Sequence, residues 1–281
     1  MNALEITNLS KSYKDFALQN INITLPKGCI IGFIGENGAG KSTTIKLILD
    51  LIGRDSGDIK VLGQDNRTAA SWMKEHIGVV LDEACFPEGL QAKDVNLIMK
   101  SMYKTWDEQK FVALLSKFSL PKDKIVKDYS RGMKMKLNIA VALSHDSKLL
   151  ILDEATSGLD PIVRDEILDV FLDFIQEEDH SIFMSSHITS DLEKICDYIA
   201  FIHKGRLLFC EEKDVLLSNY GILKCSQDEL RGIAPDAVKG KRQSAFGVEA
   251  LVLRDKVKGD YLIDPASIEE IMVYMAKERT I

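Results

Sequence analysis

The sequence predicts an α/β fold built on a parallel sheet, and three observations carry that prediction. Residues 149–152, LLIL, are apolar without alternation and end on two adjacent carboxylates, Asp153 and Glu154. A strand covered on both faces reads this way, and open α/β sheets place their ligands at the carboxyl ends of such strands. A second continuous run, CIIGFIG at 29–35, leads into the glycine cluster GENGAGKST at 35–43. TIKLILDLI follows it with helical apolar spacing, so strand, glycine loop and helix stand in the order that G-x-x-x-x-G-K-[ST] requires. A third run, SIFMSS, ends in serines just before His187.

Ahead of the glycine loop, ALEITNL (3–9) and LQNINITL (18–25) alternate polar and apolar residues, the pattern of strands with one buried face. The chain has 281 residues, 46% hydrophobic and 28% charged, enough for one large domain and a small one. Its net charge of -7 argues against bulk nucleic acid or an anionic membrane surface as the main partner. Cys29, Cys85, Cys196, Cys210 and Cys225 form no C-x-x-C pair and read as reduced core thiols. No apolar segment after Met1 resembles a secretion signal, and no window approaches the roughly 18 apolar residues of a spanning helix. Any service to a membrane is therefore expected from outside the bilayer.

The residue types of the glycine loop fit phosphate chemistry. Gly35, Gly38 and Gly40 let the backbone curl so that successive N–H groups face phosphate oxygens, and the following helix adds its positive end. Lys41 reaches the β and γ phosphates, Ser42 ligates Mg²⁺ and Thr43 adds a hydroxyl contact. A glycine turn with a solvated lysine is the plainer alternative, but it leaves the strand and helix context unexplained. No N-K-x-D guanine-reading signature occurs. YSRGMKMKLNIAVALSH, where Ser130 and Gly132 open a helix, precedes the LLILDE strand.

In this order the motifs resemble those of ATP-binding-cassette (ABC) ATPases, over residues 1 to about 218. GENGAGKST matches Walker A, which adds Asn37 and Ala39 to the nucleotide-binding loop, and YSRGM stands for the signature with Ser130, Arg131, Gly132 and Met133. LLILDE matches Walker B, SGLD matches the D-loop ending at Asp160, and SSH places His187 at the switch position. The resemblance implies a P-loop core of mixed sheet with a helical subdomain at about 84–147. It further implies that Asp153 holds Mg²⁺ and Glu154 polarises the water attacking the γ phosphate, with Lys41 and His187 contacting that phosphate. Tyr13, in KSYKDFAL, matches the position that stacks on adenine. Since Ser130 opens a second anion-binding helix, the resemblance also implies a dimer, homodimer or related heterodimer, with two ATP molecules at its interface.

Four positions depart from the family pattern. Asp82 in IGVVLDE stands where a glutamine is usual and remains able to ligate Mg²⁺ but not to donate as an amide. Arg131 and Met133 alter the signature, and Ala155 replaces a common proline. None removes Lys41, Ser42, Asp153, Glu154 or His187, so hydrolysis is expected.

Between Asp82 and Ser130 lies a helix-rich insertion, where Thr105 and Glu108 predict a capping box, with Phe111, Leu114, Leu115 and Phe118 as the core stripe of the following helix. The resemblance places a groove for a transporter's cytoplasmic helix near CFPEGLQAKD, with Phe86 and Leu90 as the expected contacts, and Ser190 with Glu193 predicts a cap after His187. From 219 to 281 short strands such as EALVLR and YLID precede PASIEEIMVYMAKER. There Ser267 and Glu270 predict a capping box, and Ile268, Ile271, Met272 and Met275 share a face. The segment reads as a small C-terminal α/β appendage. The whole most resembles stand-alone ATPases of bacterial ABC-2-type exporters, peripheral on the inner face of the membrane and partnered by an integral-membrane permease. The alternative is a soluble ABC ATPase acting on ribosomes or chromosomes; one P-loop and no long heptad coiled coil argue against it.

Overall fold

The computed structural model describes residues 2–82, 86–244 and 247–278. The chain divides into two compact units, Met1–Cys210 and Glu211–Ile281. The first begins with β1 (Asn2–Ser12), β2 (Ala17–Pro26), β3 (Ile30–Ile34), α1 (Lys41–Ile48), β4 (Ser56–Val61) and β5 (Gln64–Asp65). It continues with α2 (Ala70–His76), β6 (Ile77–Val80), α3 (Ala92–Met102), α4 (Glu108–Lys117) and α5 (Arg131–Leu143). Then come β7 (Leu149–Asp153), α6 (Pro161–Phe174), β8 (Ser181–Ser186), α7 (Thr189–Ile195), β9 (Tyr198–His203) and β10 (Arg206–Glu212).

The strands form two sheets. Antiparallel β2-β1-β4-β5 is built from the alternating runs, and its inward residues Leu4, Ile6, Ile21, Ile23 and Ile59 are buried. The second sheet, β10-β9-β3-β8-β7-β6, is parallel from β9 to β6, and β3, β7 and β8 are buried at every position. Helix α1 packs into one apolar cluster with both sheets through Ile45, Leu47 and Ile48. It is shorter than the apolar run suggests, because the chain turns at Asp50 in the left-handed region (φ 53°). Parallel register sets Ile34 beside Ser186 and Asp153 beside Ser185, so the segments after β3, β7 and β8 emerge at one edge.

Helix α4 buries Phe111, Leu115 and Phe118 as the stripe predicts, with Leu114 partly covered. Its cap differs from the expectation. Asp107 accepts from Lys110 N at 2.8 Å, while Thr105 turns to Glu75 and Glu108 to Asn96 and Lys100. The Asp107 amide is held by Ser144 O at 2.7 Å, which fixes the helix start there. Helix α7 likewise begins at Thr189, ahead of the predicted Ser190 cap, and has no side-chain cap.

His145, just beyond α5, stacks on Tyr103 at 4.1 Å between ring centroids and shares a hydrogen bond with Glu75 O at 3.0 Å. Burial pushes its imidazole below the ordinary value near 6.5, against the raising effect of that hydrogen bond. Below about pH 6.5 the unfolded chain takes up a proton that the folded chain resists, so this residue removes stability as pH falls. Urea midpoints at pH 7.5 and 5.5 are expected to separate less in His145→Phe than in the wild type. Equal separation would refute this assignment.

The second unit contains α8 (Lys213–Asn219), β11 (Tyr220–Cys225), α9 (Gln227–Arg231), β12 (Val238–Ser244), β13 (Gly247–Leu253), β14 (Ile263–Pro265) and α10 (Ile268–Glu278). Its antiparallel sheet runs β12-β13-β11-β14. The division falls after Cys210 and not at 218, because α8 buries Leu216 and packs on β11. The predicted cap of α10 is present: Ser267 N donates to Glu270 Oε2 at 2.9 Å and Glu270 N to Ser267 Oγ at 3.2 Å. Ile268 and Ile271 are buried, Met272 and Met275 partly so, and Tyr274 joins their face.

Among the described residues no helix is long and apolar enough to cross a membrane. Cys29, Cys196, Cys210 and Cys225 form no disulfide; Cys85 lies outside the described residues.

Candidate nucleotide site

The glycine loop closes on the N-terminus of α1 at the common edge of the parallel sheet. Gly40 caps that helix at φ 116°, and a Cβ there would stand 2.5 Å from Leu18 Cδ2. At Gly35 a Cβ would stand 2.4 Å from the carbonyl oxygen of Ile202, so only glycine lets the two backbones approach. Around them lies a cavity of about 710 Å³, lined by Asn37, Gly38, Gly40, Lys41, Ser42 and Thr43 on one side. Asp82, Glu154, Ser157 and His187 line it on another. Ala39 belongs to the loop but faces away. It is buried in the core cluster, and its carbonyl accepts from Gly205 N at 3.0 Å.

Lys41 is only 6% exposed. Its ammonium donates to Gly35 O at 2.7 Å and lies 3.3 Å from Glu154 Oε1. The other Glu154 oxygen meets His187 Nδ1 at 2.6 Å, with the imidazole about half exposed. One carboxylate thus joins the loop lysine to the histidine after β8. Glu154 reaches this position through a left-handed backbone (φ 53°), with its amide donating to Ser185 Oγ at 3.1 Å. Strain of this kind persists where surrounding bonds over-determine it.

Asp153 is buried, and one of its oxygens accepts from Ser185 Oγ at 2.5 Å. The exposed Ser42 hydroxyl and the Asp153 carboxylate are hard oxygen donors, the chemistry that Mg²⁺ takes from protein when phosphates and water fill its other positions. Asp82 borders the same cavity, but its Oδ1 accepts from Arg131 Nη2 at 2.8 Å. The carboxylate expected to be open to a metal is engaged by a side chain of the signature segment.

Ser130 caps α5, its Oγ accepting from Met133 N at 3.2 Å, and it is exposed. Arg131 also lies against Gly158, where a Cβ would come within 2.6 Å of its Nη1. Ser130, Arg131, Gly132 and Met133 do not line the cavity of their own chain. Asp160 caps α6 ahead of Pro161, accepting from Ile162 N and Val163 N. Tyr13 is 48% exposed with the Lys11 ammonium 5.6 Å from its ring centroid, and Asp15 and Phe16 of the same turn line the cavity instead.

Sequence reasoning missed Ser185, whose only signal is the pair of serines before His187, and the contact of Glu36 with buried His203 at 3.0 Å. No motif connects those two positions.

A parallel sheet with a glycine loop, a buried loop lysine and strand-end carboxylates converging at one edge defines a P-loop nucleoside triphosphatase. The family model for ABC transporters matches residues 18–157. The lantibiotic transport ATP-binding protein SrtF of Streptococcus pyogenes is 38% identical over 217 residues, covering 75% of this chain and 91% of that protein. The linearmycin resistance ATP-binding protein LnrL of Bacillus subtilis is 32% identical, covering 99% of this chain and 90% of its own. A solved ATP-binding subunit of an ABC transporter superposes with a TM-score of 0.70 at 26% identity, covering 76% of this chain and 91% of that one. This chain belongs to the ABC transporter family and is an ATPase of that family.

Proposed function

We propose that the chain energises export of a peptide, antibiotic or other small amphipathic compound through a separate membrane permease. In this reading two copies, identical or closely related, close head to tail over two ATP molecules. The observation that carries the dimer is the position of the signature: Ser130 stands at the exposed start of α5, outside the cavity of its own chain. Its hydroxyl and the free N–H groups of α5 offer a second anion site, which only another copy brings to the phosphates. The transport named for SrtF and the resistance named for LnrL support the class of cargo.

Within one cavity Lys41 and the loop amides bind the β and γ phosphates. Glu154 takes a proton from the attacking water, and His187 holds the glutamate and contacts the γ phosphate. Ser42 and Asp153 would hold Mg²⁺, which when bound would neutralise charge on the phosphate oxygens. Asp160 shapes the D-loop by capping α6, and Tyr13 offers its exposed ring to adenine.

The permease meets the region of α3 and α4, on the cytoplasmic face of the membrane. Phe86 and Leu90 are half-buried there, whereas Leu97 and Met102 of α3 are 70% and 64% exposed. Exposed apolar groups on one short helix suit a helix-in-groove contact. Affinity purification of the Glu154→Gln protein with ATP from detergent-solubilised membranes tests the reading. A stoichiometric multi-span protein is expected in the eluate. Recovery with ribosomes alone would replace export with a soluble role.

A further inference from the structure

The second unit contains a cavity of about 520 Å³ beside the edge strand β12, and none of its lining residues has a role assigned above. That volume lies within the roughly 300–1,000 Å³ typical of small-molecule sites. Its floor is apolar: Ile233 is buried, and Leu230 and Val238 pack on the same cluster. Its rim is cationic, with Arg231, Lys241 and Lys277.

Two local features converge these charges. A Cβ at Gly240 would stand 2.6 Å from Tyr274 O, so the glycine lets α10 press directly onto β12. Lys277 follows Tyr274 by three positions on the same helix face and is thereby brought to the strand that carries Lys241. Lys241 and Lys277 have no ion-pair partner among the described residues, and Arg231 is paired only with the highly exposed Asp228 at 2.9 Å. An exposed pair of that kind holds its partners weakly. In a chain of net charge -7, three cations over an apolar floor mark a local reversal of sign. Lysines on an edge strand also discourage strand pairing, but that role needs no cavity behind them.

We infer that this cavity binds a small amphipathic anion. Its apolar body rests on Leu230, Ile233 and Val238, and its carboxylate or phosphate head lies between Lys241, Lys277 and Arg231. The same chemistry is offered by a free amphiphile and by an anionic lipid within a bilayer; a cavity of small-molecule volume suits the free molecule.

Calorimetric titration of the full chain with monomeric decyl phosphate tests the site, with decanol, inorganic phosphate and phosphatidylglycerol vesicles in parallel. One decyl phosphate per chain is expected. Decanol and inorganic phosphate should each bind at least about tenfold more weakly, because each lacks half of the recognition. Lys241→Gln/Lys277→Gln and Leu230→Gln should each weaken decyl phosphate by about tenfold while keeping the wild-type unfolding midpoint. Equal affinity in the double variant, equal affinity for decanol, or binding to vesicles without binding of the monomer would overturn the proposal.

Discussion

Glu154→Gln is expected to bind ATP at least as tightly as the wild type and to hydrolyse it at least about 100-fold more slowly. The carboxylate lies between Lys41 at 3.3 Å and His187 at 2.6 Å, held by a left-handed backbone and by Ser185. Glutamine has nearly the same shape, so the fold and these contacts are largely conserved, but it accepts no proton from water. It also removes the negative charge that competes with phosphate for the Lys41 ammonium, and affinity should therefore hold or rise. Phosphate release gives the turnover, and size-exclusion chromatography with light scattering gives the ATP-dependent dimer. Unchanged turnover would remove Glu154 from the role of base. Normal binding with slow turnover and no dimer would separate the hydrolytic assignment from the head-to-tail reading.

Lys41→Ala acts on the other half of the site. Its ammonium is buried within the loop and supplies charge-assisted bonds, each worth about 1.5–3 kcal/mol. Removing it should weaken ATP binding by roughly 10- to 100-fold, read with a fluorescent ATP analogue. The variant also leaves Gly35 O and Glu154 without their cation, so some loss of thermal stability accompanies it. Lys41→Met, which retains most of the side-chain volume, distinguishes lost charge from a collapsed loop. Affinity equal to wild type in both variants would sink the phosphate role.

Much of this site was legible because its parts are local. A glycine loop between a buried strand and a helix needs only nine consecutive residues, GENGAGKST, and its amides point together through backbone conformation alone. The strand ends at Asp153 and at Ser186, just before His187, were visible for the same reason: continuous apolar runs stop where they do. Caps were less legible. The Ser267 and Glu270 box formed as expected, whereas the box at Thr105 gave way to Asp107 because Ser144 O holds the Asp107 amide and Glu75 draws Thr105 away. Both competing partners lie far off in the chain, where no pattern of spacing reaches.

The sequence by itself determined the class of fold, the glycine loop between a buried strand and a helix, the pair of carboxylates at the end of a second buried strand, and the family. Each is written in short-range periodicity or in a contiguous motif. Only the tertiary structure decided which charges meet. It joined Lys41, Glu154 and His187 through one carboxylate, engaged Asp82 with Arg131, set Ser185 beneath Asp153, and brought Lys241 and Lys277 to one rim. These contacts depend on strand register and on where helices press against sheets, which long-range packing sets and local sequence does not encode.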